Sequence, residues 1–274
     1  MSQATLADRL RALFPDSSGR SLKQWLESGR VEVNGRVARN GRAVLHAGDR
    51  VELGGRGRIS FPKGLGLVYQ DDAIVVVDKP ARLLTVATER ERDRTAYRLL
   101  WDYLQAQRPR ARPFIVHRLD RETSGLLVFA KSPETKQQLQ TQFEERSVQR
   151  VYTALVKGHV REQSGTLESR LVEDRSLRVH TARGPEGKTA VTRYRVLARG
   201  QDTTLLELSL DTGRRRQIRV QLAAIGHPIV GDRDHGGPGG QFRRLCLHAT
   251  RLGFIHPGTG KAMRFESAAP ATWV

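Results

Sequence analysis

A single cysteine, Cys246, stands in 274 residues. That excludes an intramolecular disulfide and any cysteine-built zinc cluster. Eight histidines are present, but no two have the His-x-x-x-His spacing that puts both imidazoles on one helix face. No metal site is therefore expected. No apolar stretch approaches the roughly 20 residues that cross a bilayer, and the first residues, MSQATLADRLRALF, carry charges every few positions and lack the apolar core of a signal peptide. A soluble, cytoplasmic protein with no membrane partner is the expectation, and a monomer the simplest state. Internal repeats are absent. Lysine is scarce too: only eight of the 47 basic residues are lysine, leaving 39 arginines.

What is abundant is positive charge. The formal net charge is +18, a surplus that favours a polyanion, nucleic acid above all. Arginine clamps phosphate through two parallel hydrogen bonds and stacks on bases, whereas lysine acts as a point charge. Charge names a class of partner and no activity. The length and a 38% hydrophobic content allow a sizeable core and two domains.

The expected boundaries are residues 1–57 for a small first domain, 58–66 for a linker and 67–274 for the main domain. In the first, Leu6, Leu10, Leu13 and Phe14 share one helical face. A second helix is expected from Ser21, with Leu22, Trp25 and Leu26 apolar and Gly29 as its stop. VEVNGRVA then alternates around Asn34-Gly35, a pair that accepts positive φ and signals a tight hairpin. HAGDRVEL adds a turn and a strand. GGRGRISFPKG, residues 54–64, reads as a linker. Beyond it the expected elements are a turn at Asp71-Asp72, a strand over Ala73 to Val77, a helix from Thr95 to Gln107, and a helix from Ser132 as N-cap to about Glu145 with Leu139 and Phe143 as anchors. Strands follow at Val151 to Val156 and Leu205 to Leu210. Between them, short strands are expected over Ser164 to Val196, with turns at Gly165, Gly184 and Gly187.

The most informative stretch is HRLDRETSG, residues 117–125. Apolar PFIV leads in and apolar LLVFA leads out, so Asp120 lies in the connection between two short buried strands, flanked by Arg118 and Arg121. Asp and Gly are ordinary turn residues, and an Asp between two arginines can simply neutralise them. The chemical alternative is a carboxylate held in the loop, with arginines on either side to meet a phosphate backbone, and acting on the sugar beneath it.

HRLDRETSG resembles the catalytic signature of the RluA-type RNA pseudouridine synthases. GLLVFAKSPETKQQLQTQFEERSVQRVYTALVKG is similar to that family's strand, helix and strand continuation, and LDTGRRRQIRVQLAAIGHPIVGD to its later TGRxHQIRxH motif. The resemblance runs from Leu67 to the end. It implies an α+β fold with a mixed, largely antiparallel β-sheet, a cleft across it, and conversion of uridine in RNA to its carbon-linked isomer. This isomerisation moves no electrons and consumes no phosphate, so no cofactor is expected. ARGPEGKT, residues 182–189, lacks the glycine spacing of a phosphate loop. The order of elements in residues 1–57 resembles the small RNA-binding module first seen in small-subunit ribosomal protein four, which implies RNA contacts at Arg20, Lys23, Arg30 and Arg36.

The resemblance further implies three catalytic residues. Asp120 is indispensable, whether it attacks the sugar, attacks the uracil ring or removes a ribose proton. Arg219 pairs with it through a bidentate contact. Tyr152 stacks on the extruded uracil. Arg118, Arg121 and Arg214 hold phosphates or keep the base flipped. Thr123 and Ser124 brace the loop through hydroxyl-to-backbone bonds, Gly125 serves backbone geometry, and His117 is structural. Asp78-Lys79-Pro80 supports the loop. Arg216 and Gln221 stand where the motif has histidines, and GDRDHGGPGG is a substrate-facing loop. By analogy large-subunit ribosomal RNA is the first expected target and transfer RNA the second. Two rival readings are a catalytically silent RNA-binding or ribosome-assembly protein, which would dispense with Asp120, Tyr152 or Arg219, and a hydrolase of nucleic-acid glycosidic bonds, which commonly uses a second carboxylate.

Overall fold

The computed structural model describes residues 4–54, 60–89, 91–108, 110–174, 176, 178–182, 184–237 and 242–273. Five residues of the GGRGRISFPKG segment (55–59), part of the 182–189 segment (183) and the tail of the GDRDHGGPGG loop (238–240) lie outside them. Met1–Ser60 with Ala106–Pro109 forms one compact unit, and Phe61–Gln105 with Arg110–Val274 the other.

The first unit holds α1 (Leu6–Leu13) and α2 (Gly19–Glu27), with a three-stranded sheet of β1 (Val31–Val33), β2 (Arg36–Val37) and β3 (Val51–Leu53) in the order β2-β1-β3. Leu6, Leu10, Leu22, Leu26 and Val31 form its core, with Phe14 and Trp25 packed against them. The second helix begins two residues before Ser21. Ser18 is its cap, and its hydroxyl accepts from the Ser21 amide at 3.2 Å. The Asn34-Gly35 hairpin forms as expected, both residues at positive φ (52° and 75°). The Asn34 side chain fastens it by donating to Asp49 Oδ1 at 2.8 Å.

The second unit is built on one sheet. Its elements are β4 (Gly66–Gln70), β5 (Ile74–Lys79), α3 (Ala96–Gln107), β6 (Phe114–Ile115), β7 (Ser124–Ala130), α4 (Pro133–Glu144), β8 (Gln149–Lys157), β9 (Ser164–Glu173), β10 (Val179–Thr181), β11 (Lys188–Arg199), β12 (Thr203–Leu210), α5 (Gln217–Ala224), β13 (Leu247–Ile255) and β14 (Ala262–Glu266). The strand order is β10-β9-β11-β12-β8-β13-β7-β5-β4, with β14 on β13 and β6 on β7. Neighbours run antiparallel except β13 beside β7, so the fold is α+β with a mixed, largely antiparallel sheet.

β5 and β7 lie inside the molecule on both faces, which is why they read as unbroken apolar runs. The two-residue period sends Val75, Val77, Leu127 and Phe129 to one core, where Leu100 and Leu104 of α3 and Ile218 and Leu222 of α5 meet them. Ile74, Val76, Leu126 and Val128 point to the opposite core, covered by Leu139 and Phe143 of α4. Ser132 and Pro133 start α4 as the sequence predicts, the Ser132 hydroxyl accepting from the Thr135 amide at 3.1 Å. Gly165 departs from expectation. It lies inside the ten-residue β9, where a β-carbon would stand 2.7 Å from the Tyr194 ring. It is a packing glycine rather than a turn, and β9 and β11 are long strands. No helix among the described residues is long and apolar enough to cross a membrane.

Candidate active site

Asp120 lies between β6 and β7, on a loop braced from below. Leu119, next to it, is buried. Its carbonyl accepts from the Thr85 hydroxyl at 2.8 Å and its amide donates to the same oxygen at 3.2 Å. The Thr123 amide donates to the Asp120 carbonyl at 3.2 Å, closing a tight turn around the acid. Beneath the turn Lys79, fully buried, donates to the carbonyls of Pro80 (2.9 Å), Leu83 (2.8 Å) and Arg121 (3.3 Å). Burial pulls its pKa down to about 7 against the opposing charges of Asp120 and Glu122. Three carbonyl acceptors match the three N–H bonds of an ammonium, so Lys79 knots the strand end to the loop. The hydroxyl bracing expected of Ser124 takes a different form: its oxygen meets His248 Nδ1 at 2.8 Å, a side chain rather than backbone.

Gly125 follows at φ +110°, where β13 runs parallel to β7, and a β-carbon there would overlap the Ala249 backbone. His117 is structural. Its Nε2 accepts from the Val128 amide at 3.2 Å, its ring stacks on Phe143, and burial drives its pKa down to about 3. It is a neutral acceptor at any working pH.

Arg219 comes from α5, a helix that the sequence conceals. Gln217 and Gln221, one turn apart, lock this helix onto the sheet. Gln217 Nε2 donates to the Val191 carbonyl at 3.0 Å, and Gln221 Nε2 to the Ala190 carbonyl at 2.9 Å. The Thr192 hydroxyl accepts from Gln217 and donates to Gln221. Gln221, in place of a histidine, is thus a buried, fully bonded clamp. Arg216 caps the helix in the left-handed region at φ 55° and pairs with Asp234 at 3.4 Å.

The Arg219 side chain, 6% exposed, does not spend its fork on Asp120. Its Nε and one terminal nitrogen grip the two oxygens of Asp232, each at 2.7 Å, and the same terminal nitrogen reaches Asp234 at 2.9 Å. The other terminal nitrogen stands 3.6 Å from Asp120. The expected bidentate partner is therefore corrected from Asp120 to Asp232. The Asp232 side chain is fully buried and requires a matched cation, whereas Asp120 keeps 27% of its side chain exposed and needs none. Burial alone would raise the Asp232 carboxyl, but the Arg219 and His235 contacts outweigh it and hold it far below the ordinary range. Asp232, Asp234 and His235 also form a set of possible metal-ligand atoms. The guanidinium already occupying both Asp232 oxygens opposes a second cation there.

Tyr152, on β8, is 9% exposed, and burial raises its phenol pKa. With Asp120, Arg219, Arg118 and Arg214 it lines a pocket of about 240 Å³. A larger cleft of about 710 Å³ shares Asp120, Arg118 and Arg219, and nine arginines line it, Arg121 among them. Gly231, Arg233 and Asp234 of the 231–240 loop face this cleft. Arg118, Arg121 and Arg214 are exposed; Arg214 Nε donates to the Thr189 carbonyl at 3.1 Å. The structure thus brings Asp120, Tyr152, Arg219, Arg118 and Arg214 to one pocket, and Arg121 to the adjoining cleft. Arg20, Lys23, Arg30 and Arg36 belong to the N-terminal unit. Three of them are exposed, while Arg30 is half-buried over the Trp25 ring at 5.7 Å. Asp232 and Thr85 went unmarked in the sequence. The only signal for Asp232 was its place in a Gly-Asp pair following Arg219.

The chain belongs to the RNA pseudouridylate synthase family, whose model matches residues 73–224. Among its relatives, the ribosomal large subunit pseudouridine synthase D of Haemophilus ducreyi is 34% identical over 290 residues, spanning 98% of this chain and 88% of that protein. The Pseudomonas aeruginosa protein of the same name is 37% identical over 279 residues, 94% of this chain and 86% of the relative. In three dimensions the human RNA pseudouridylate synthase domain containing 1 superposes with a TM-score of 0.62 at 26% identity, over 77% of this chain and 85% of that one.

Proposed function

We propose that the protein isomerises uridine to pseudouridine in large-subunit ribosomal RNA, with Asp120 as the acting carboxylate. The observation that carries this reading is the convergence of Asp120 and Tyr152 in a pocket of about 240 Å³ beside an arginine-lined cleft. The pocket suits one extruded nucleoside, and the cleft the charged strand it leaves. Ribosomal large-subunit RNA is preferred over transfer RNA because the names of the relatives specify it.

In the reaction the bond from ribose C1′ to uracil N1 breaks and a bond from C1′ to C5 forms. The hydrogen on C5 leaves as a proton and N1 takes one up. Asp120, partly exposed and facing the pocket, acts at the breaking bond. Arg219 keeps a positive charge beside it, and Asp232 and Asp234 fix the aim of that charge. The Tyr152 ring offers a face to the base. Arg118, Arg121 and Arg214 hold phosphates. No cofactor enters the balance, and the protein works as a cytoplasmic monomer. The test is to map carbon-linked uridines in ribosomal RNA from cells with and without the gene. One or more large-subunit sites should appear only with it; loss confined to transfer RNA would move the substrate.

Residues 1–57 are the RNA-binding module of this account and 67–274 the catalytic domain, joined by a linker over 58–66 whose last residues, Leu65 and Gly66, already belong to the core and to β4 of the second unit. Arg20 and Lys23, three apart on α2, present charge on one face, and Arg36 stands beyond the hairpin turn. Removing residues 1–57 is expected to weaken RNA binding at least tenfold and to flatten its salt dependence by roughly 0.9 log units per lost phosphate contact. The melting temperature of the remainder should hold. Unfolding of the catalytic domain on truncation would contradict the division.

A further inference from the structure

Arg150 lies on β8 two residues before Tyr152, so both side chains leave the same face of the strand. Its Nε is sealed from water, yet has no hydrogen-bond partner among the described residues. A terminal nitrogen reaches the Leu210 carbonyl, at 3.4 Å. Asp211, whose charge reaches it, is bonded instead to Arg193 at 2.9 Å. The Phe143 ring supports the guanidinium from one side at 5.6 Å. On another side lies Gly213, where any β-carbon would run into the guanidinium, so only a glycine leaves room for it. Buried arginines are ordinarily paired. One that lines a cavity with no carboxylate bonded to it is a receptor for an anion.

That cavity measures about 550 Å³. Arg118, Arg146, Arg150 and Arg214 line it, against the single carboxylate of Glu144. Arg118, Tyr152, Leu210, Gly213 and Arg214 also line the Asp120 pocket, so the two spaces meet at Tyr152. A chain whose base enters the Asp120 pocket has this cavity beside it for the adjoining phosphodiester. We propose that Arg150 binds the RNA backbone phosphate adjoining the extruded uridine, with Arg118 and Arg214 closing around it. This rests on the RNA-modifying reading above and extends it to how the strand is threaded.

The experiment measures binding of a large-subunit ribosomal RNA transcript across a potassium chloride series. Asp120→Asn protein is used with Arg150 intact, changed to Gln, or changed to Lys. Turnover is followed separately with Asp120 present. Arg150→Gln should lower the salt slope by roughly 0.7, the value for one single-strand phosphate. It should also raise KM about tenfold, the loss of one charge-assisted hydrogen bond, with the effect falling on KM rather than kcat. Arg150→Lys should restore the slope. An RNA with one uncharged methylphosphonate beside the target uridine should cost wild-type protein the same tenfold and cost Arg150→Gln protein nothing more, a test that holds even if a variant folds poorly. An unchanged slope, or a fall in kcat at constant KM, would overturn the proposal. Failure of wild-type protein to modify the transcript would instead count against the RNA-modifying reading, while the salt slopes would still report on Arg150.

Discussion

Changing Asp120 to Asn is expected to reduce pseudouridine formation by at least about 10³-fold, in the upper part of the range for removing an acting acid or base, while RNA binding persists. The two side chains have nearly the same shape, so the tight turn closed by Thr123 and the Thr85 brace at Leu119 remain. Arg219 keeps its bidentate hold on Asp232 and only its far nitrogen, 3.6 Å away, loses a charged neighbour. Removing one negative charge from an arginine-lined cleft does not weaken its grip on a polyanion. The check is single-turnover conversion alongside a binding titration on the same RNA. Turnover undiminished in a clean preparation would remove Asp120 from the chemistry.

The second large effect falls on stability. Asp232→Asn leaves the nearly buried Arg219 guanidinium without its matched carboxylate, and breaking such a pair by removing one partner costs about 3–5 kcal/mol. At about 2–4 °C per kcal/mol for a domain of this size, thermal melting should fall by roughly 10 °C. Turnover should fall as well, because Arg219 would no longer be held in position beside Asp120. Asp234→Asn serves as the contrast. That carboxylate is 52% exposed, and its loss should cost no more than about 1 kcal/mol, as at other surface pairs. The pH dependence has a definite sign. The folded Asp232 carboxyl is held far below its unfolded value, so its stabilisation is present above about pH 4 and drains away as the pH falls further. Asp232→Asn protein should therefore lose less stability than wild type on acidification. Equal acid sensitivity of the two would contradict the assignment of Asp232 as the partner of Arg219.

The sequence is most legible where one residue decides local geometry. Ser132 and Pro133 set the start of α4, Asn34-Gly35 sets the hairpin, and the continuous apolar run of β7 marks a strand buried on both faces. The acid itself was singled out because HRLDRETSG resembles a catalytic signature; its place in a loop between strands would equally suit an ordinary turn residue. What stayed hidden depends on segments distant in the chain. Thr85 meets Leu119 across 34 residues, and Arg219 chooses Asp232 over Asp120 because only the fold decides which carboxylate is sealed from water. The helix α5 stayed hidden because its sheet-facing side is held by Gln217 and Gln221 rather than by apolar residues alone, so hydrophobic periodicity is faint. Gly165 looked like a turn because a glycine needed for the ring of Tyr194 leaves the same mark in sequence as one needed for positive φ.

One label reports which bonds change in the Asp120 pocket. RNA carrying tritium on C5 of uridine should release one tritium to water for every carbon-linked uridine formed, with no free uracil and with both signals absent for Asp120→Asn. Free uracil that retains its tritium would show glycosidic cleavage without rejoining, and would contradict the account.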